Sequence, residues 1–174
     1  MERNELARQI YNISHITGDF LLRSGVRSSE YFDKYQFESE PDLLKEIAVQ
    51  LAGLLPEKFD VLAGLEMGGI PLATALSLET SKPLVFVRKH AKEYGTCKFA
   101  EGHNIEGKVV VAIEDVVTSG GQLLQSVDDL RQLGAQISVA LCVIDRQAGG
   151  SEALAKKGIE LKPLFKMSEL KEFK

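Results

Sequence analysis

The chain has no tryptophan, only two cysteines and five prolines, and no low-complexity tract in 174 residues. Each scarcity narrows the possibilities. Cys97 and Cys142 sit far apart, make no metal-type pair and imply no disulfide framework, so a reducing cytosol is the expected compartment. No apolar run approaches the roughly 20 residues needed to cross a bilayer. The charged, amphipathic start MERNELARQIYNIS does not read as a signal peptide. A basic surplus is missing too: the formal charge is −4, which argues against broad nucleic-acid binding but leaves room for a local cationic cluster. Without repeats or Pro/Gly/Ser linkers, the length predicts a single domain over residues 1–174 with one sizeable core.

What is present alternates. Leu6, Ile10 and Ile13 predict a helix over 2–14, followed by an irregular stretch, GDFLLRSGVRSSEYFDKY. Pro41 marks the start of a second helix whose inner face is Leu43, Leu44, Ile47, Leu51 and Leu54. Apolar runs at 60–65, 83–88, 108–114, 137–144 and 159–165 predict strands, and helical patterns at 70–80, 120–133 and 151–157 lie between them. That order means an α/β fold with a parallel, mostly five-stranded sheet flanked by helices, and ligands beyond the carboxyl ends of its strands. One connection breaks the rhythm: residues 89–107 hold Gly95, Gly102 and Gly107 with little apolar periodicity, as a functional lid would.

The chemistry concentrates in VVVAIEDVVTSGGQLLQSV, residues 109–127. An apolar strand ends in Glu114 and Asp115, and Thr118-Ser119-Gly120-Gly121 then leads into a helix. Glycines let backbone N–H groups approach an anion, the helix N-terminus adds a favourable dipole, and the hydroxyls donate further hydrogen bonds. Carboxylates are repelled by the same anion and must face neutral hydroxyls. A sugar diol beside a phosphate, as in ribose 5-phosphate, satisfies both. Walker-type and dinucleotide fingerprints are absent.

This segment resembles the phosphoribosyl pyrophosphate signature of the type I phosphoribosyltransferases. The resemblance implies that Glu114 and Asp115 hold the ribose hydroxyls, Asp115 counting among the catalytic residues. It also implies that Val116, Val117, Thr118, Ser119, Gly120, Gly121 and Gln122 wrap the 5-phosphate. Three further segments are similar to the orotate-specific branch: FLLRSGVRSSEYFD, GLEMGGIPLATALS and VIDRQAGG. They imply a small N-terminal hood over about residues 1–35, a pyrophosphate loop at Met67-Gly68-Gly69, and Arg146 as the reader of the orotate carboxylate. A planar guanidinium suits that task. Taken alone, Arg146 is also readable as a surface residue paired with Asp145. Thr118 is a second candidate orotate contact; Arg23, Ser24 and Arg27 are candidate hood contacts, while Tyr31 and Phe32 read equally as hood core or base-stacking groups.

The lid carries Arg88, Lys89, Lys92 and Lys98, able to neutralise a leaving pyrophosphate. In the family the counterparts of Arg88, Lys89 and Lys92 bind pyrophosphate oxygens, some across a dimer interface, and Lys92 is the best candidate catalytic lid residue. Two positions depart from some members: Tyr94 stands where they have a histidine, with His90 and His103 nearby, and Gly68 where they have a lysine. The implied activity is phosphoribosyl transfer to orotate in UMP biosynthesis by a cytoplasmic homodimer, with magnesium (Mg2+) held mainly by substrate. A salvage phosphoribosyltransferase for another base and a non-catalytic phosphoribosyl pyrophosphate sensor are the alternatives.

Overall fold

A computed structural model describes residues 1–21, 25, 27–90 and 98–173. The N-terminal periodicity forms helix α1 (Arg3–Ser14), whose Leu6 and Ile10 are fully buried. The stretch expected to be irregular contains an antiparallel hairpin, β1 (His15–Leu21) with β2 (Arg27–Phe32). Its described residues are exposed or half-buried, so no apolar alternation announced it. Short helix α2 (Lys34–Ser39) is equally unforeseen. It is capped by the Asp33 carboxylate, which accepts the Tyr35 N–H, and anchored by fully buried Phe37. Helix α3 (Pro41–Ala52) starts at its proline and buries Leu43, Ile47 and Leu51.

The chain then runs through β3 (Val61–Leu65), α4 (Gly69–Thr80), β4 (Leu84–Val87), β5 (Ala100–Gly102), β6 (Val109–Val117), α5 (Gly121–Gln132), β7 (Gln136–Asp145), α6 (Gly150–Ala155), β8 (Glu160–Lys166) and α7 (Met167–Leu170), ending in a 3-10 turn. The main sheet has six strands in the order β5-β4-β3-β6-β7-β8. β4, β3, β6, β7 and β8 pair in parallel, as their doubly buried Val, Ile, Leu and Ala runs predict. β5 pairs antiparallel with β4, so the sheet is mixed rather than purely parallel. Three residues, Ala-Glu-Gly, carry no apolar pattern, and only pairing along the β4 edge makes them a strand.

Alternate residues of β6 feed two cores. Val111 and Ile113 pack with α1, α3 and α4, whereas Val110 and Ala112 pack with α5 and α6. From β3 the chain moves outward to β4 and β5, then returns to the other side of β3 for β6 and continues outward through β7 and β8. The order reverses between β3 and β6, and α/β sheets bind ligands outside the carboxyl ends of the strands at such a reversal. No helix among the described residues is long and apolar enough to cross a membrane.

Candidate active site

At the reversal, β3 gives way to Glu66-Met67-Gly68 and β6 carries the acidic pair. The strand was expected to end at that pair, but β6 stays in register with β7 as far as Val117 opposite Asp145. Glu114 and Asp115 therefore lie within a strand, held by its ladder. Asp115 is 1% exposed. One Glu114 oxygen accepts the Asp115 N–H at 3.0 Å, and Asp115 Oδ1 accepts the Val116 N–H. The remaining Asp115 oxygen, Oδ2, makes no hydrogen bond of regular geometry but contacts the Lys34 ammonium in an ion pair.

Burial first, and then the Asp115 charge, push the Glu114 carboxyl well above the usual carboxylate range, against the opposing pull of the Asp115 backbone N–H and Lys34. Burial alone would lower the Lys34 pKa; Asp115, Tyr35 and Glu114 outweigh it and hold the ammonium above the ordinary lysine value.

A cavity of about 310 Å3 opens over these groups, lined by Lys34, Glu66 and Glu114 through Leu123. Within its lining Gly120 is the N-cap of α5, at φ 77, a conformation that suits glycine. It offers no side-chain cap bond, so the first-turn N–H groups of α5 are without a side-chain acceptor beside the Thr118 and Ser119 hydroxyls. An anion there would satisfy them. A Cβ added at Gly68 would overlap Asp115 Oδ2 and lie 2.7 Å from Glu38 Oε1. A side chain at position 68 would have to displace these carboxylates or the loop itself.

A second cavity, about 330 Å3, lies under the hairpin, lined by Tyr11, His15, Ser28, Glu30, Tyr31, Phe32, Arg146, Met167 and Lys171. Arg146 follows β7, its N–H bonded to the Val117 carbonyl at 2.8 Å, which sets it one strand from the acidic pair. Among the described residues no ion pair engages its guanidinium. Asp145, the surface partner considered for it, instead accepts the Gln147 N–H at 2.8 Å.

Residues 35–166 match the phosphoribosyl transferase domain family. An orotate phosphoribosyltransferase of a Nocardioides species is 48% identical over 165 residues, 95% of this chain and 92% of that one. This chain belongs to the orotate phosphoribosyltransferases. The Mycobacterium tuberculosis orotate phosphoribosyltransferase superposes with a TM-score of 0.87 at 27% identity, covering 97% of this chain and 98% of that one. Its structure in complex with phosphoribosyl pyrophosphate superposes at 0.84 with 25% identity, covering 97% and 98%.

Against that family pattern, Glu114 through Gln122 come together around one cavity. Thr118 lines that cavity and not the one that holds Arg146, so the two candidate orotate contacts face different hollows. Arg88 closes the base of the loop, its N–H bonded to the Phe99 carbonyl at 2.9 Å and its Nε 3.9 Å from Glu101. Lys89 donates its backbone N–H to Glu66 at 2.9 Å. Lys92, Tyr94, Cys97, Arg23 and Ser24 lie outside the described residues. Arg27 pairs with Asp19 in the hairpin and does not line the cavity.

Sequence reasoning missed Lys34, Glu38 and Glu66, and in the second cavity Tyr11, His15, Met167 and Lys171. The one readable signal was FDKYQFES, where Lys34 and Glu38 stand four apart, one helical turn.

Proposed function

We propose that the chain transfers the 5-phosphoribosyl group of phosphoribosyl pyrophosphate to orotate, giving orotidine 5-monophosphate and pyrophosphate in pyrimidine biosynthesis. One observation carries the residue assignment. Neighbouring strands β6 and β7 present an acidic pair with an anion-ready helix N-terminus and, one strand away, a guanidinium with no carboxylate partner among the described residues, facing an aromatic-lined hollow. In this reading Glu114 and Asp115 take the ribose hydroxyls and Val116 through Gln122 take the 5-phosphate. Arg146 takes the orotate carboxylate among Tyr31, Phe32 and Tyr11.

An anionic ring nitrogen of orotate forms the bond to ribose C1 as the bond from C1 to the pyrophosphate oxygen breaks, the electron pair leaving with pyrophosphate. No general base is needed. The protein's part is orientation and stabilisation of the leaving charge. Among the described residues no three His, Cys, Asp or Glu side chains converge as a metal cage. In this reading magnesium is held mainly by the substrate's own oxygens, where it would neutralise leaving-group charge.

The lid, in this reading, spans about residues 89–107, of which Ala100–Gly102 is paired into the sheet. Arg88, Lys89 and Lys92 supply cations to pyrophosphate from it, and a homodimer in the cytoplasm is the working form. The free, buried Cys142 thiol fits a reducing compartment.

With magnesium and phosphoribosyl pyrophosphate, purified protein is expected to consume orotate and to ignore adenine, hypoxanthine and uracil in a spectroscopic assay. A higher specificity constant for a purine would sink the reading. Arg146→Ala should raise the orotate KM roughly 30-fold, about 2 kcal/mol, through loss of a charge-assisted pair. An unchanged KM would return Arg146 to the surface.

A further inference from the structure

The carboxylate-rich cavity poses an electrostatic problem. Glu66, Glu114 and Asp115 all line it, yet the substrate proposed for it is itself a polyanion. Among the described residues that line it, Lys34 is the sole lysine or arginine. Its ammonium contacts Asp115 Oδ2, the same oxygen that Gly68 backs from the β3–α4 loop. The ammonium thus meets the acidic pair on its Gly68 side, within the cavity that the start of α5 also lines. A ribose held by its 2- and 3-hydroxyls, with its 5-phosphate at α5, directs C1 and the pyrophosphate toward that side.

We infer that Lys34 is a pyrophosphate-binding residue, its ammonium stored on Asp115 in the free chain and passed to the pyrophosphate when ribose hydroxyls take over the carboxylate. The inference rests on the ribose and phosphate assignments proposed above.

The exchange is balanced at each stage. In the free chain Asp115 is almost fully buried, and a charge so placed needs a partner. When substrate arrives, hydroxyl donors replace the ammonium at Asp115, and the ammonium meets an anion of higher charge. As the bond to C1 breaks, negative charge grows on the pyrophosphate, and a nearby ammonium stabilises that state more than the ground state.

The local structure makes Lys34 a defined donor. The Asp33 N–H is bonded to the Ser14 carbonyl at 2.8 Å, and buried Phe37 fixes the helix one turn on. Glu38 stands one turn on, on the same face of α2. Burial, then the Asp115 charge, raise its pKa to about 8, with Lys34 opposing. Position 68 cannot supply a cation in its place, because a side chain there collides with Asp115.

Calorimetric titration of the full-length protein with phosphoribosyl pyrophosphate, inorganic pyrophosphate and ribose 5-phosphate, each with magnesium, tests this. Lys34→Met should weaken phosphoribosyl pyrophosphate and pyrophosphate at least about tenfold and leave ribose 5-phosphate within about twofold. Lys34→Arg, which keeps the charge, should restore pyrophosphate to within about threefold of wild type. Equal losses on all three ligands would make Lys34 a mere support for Asp115 and overturn the assignment. Unchanged or tighter pyrophosphate binding by Lys34→Met would overturn it as well. Failure of the wild-type protein to bind phosphoribosyl pyrophosphate would remove the functional reading itself, and the role of Lys34 with it.

Discussion

Gly68 shows how much chemistry one missing side chain can secure. A methyl group there would overlap the oxygen of Asp115 that meets Lys34 and press on Glu38. Gly68→Ala should therefore displace the acidic pair and weaken phosphoribosyl pyrophosphate by about 1–3 kcal/mol, the usual cost of overpacking. Titration of the variant checks this, and wild-type affinity would show that the loop can retreat. Glu38 makes a second prediction, in pH. Its folded pKa of about 8 lies above its ordinary 4.5, raised by burial and Asp115, with Asp33 adding and Lys34 opposing. A carboxyl raised on folding contributes stability that is fully present below the unfolded pKa and lost as pH rises through the folded one. Urea midpoints of the wild type should fall between about pH 5 and about pH 8, and those of Glu38→Gln should fall less. Parallel curves would assign no linkage to Glu38.

The elements that matter most for the site differ in how they were legible. β6 and α5 announced themselves, because a buried strand run followed by hydroxyls and glycines has a local physical meaning. The hairpin and α2 did not: their faces are largely exposed, and a pattern of burial is what a sequence reader detects. α2 buries one apolar side chain, Phe37, beneath the face that carries Lys34 and Glu38. Phe37→Ala should cost about 3–5 kcal/mol of stability in urea unfolding. Tyr35→Ala, at a side chain left 42% exposed, should cost less than about 1 kcal/mol. Comparable losses would mean that α2 is anchored elsewhere.

At the scale of the whole molecule, the open question is what completes the site. Arg88 and Phe99 close the base of the lid by a backbone bond, and the cations beyond it are the proposed partners of pyrophosphate. In a two-fold dimer each subunit would lend Lys92 to its neighbour and receive the neighbour's in return. Two nearly inactive variants, Lys92→Ala and Asp115→Asn, mixed with subunit exchange, test this. A mixed dimer then has one site with both defects and one with neither. Random pairing makes about half the dimers mixed, so roughly a quarter of wild-type activity should return. If Lys92 serves its own chain every site keeps a defect, and no activity returns once exchange is confirmed.

From the sequence alone came the α/β class, the five parallel strands, and the run of acidic pair, hydroxyls and glycines that the fold gathers around one cavity. Each is a local pattern whose chemistry works within a few residues. Tertiary structure decided the rest. It carried β6 on past the acidic pair by pairing it with β7, and made Ala100–Gly102 a strand along β4. It also brought Lys34 and Glu38 to Asp115, about eighty residues away in sequence. Spacing along a chain reports what neighbours can do; it does not report which distant charge will fill the space a glycine leaves open.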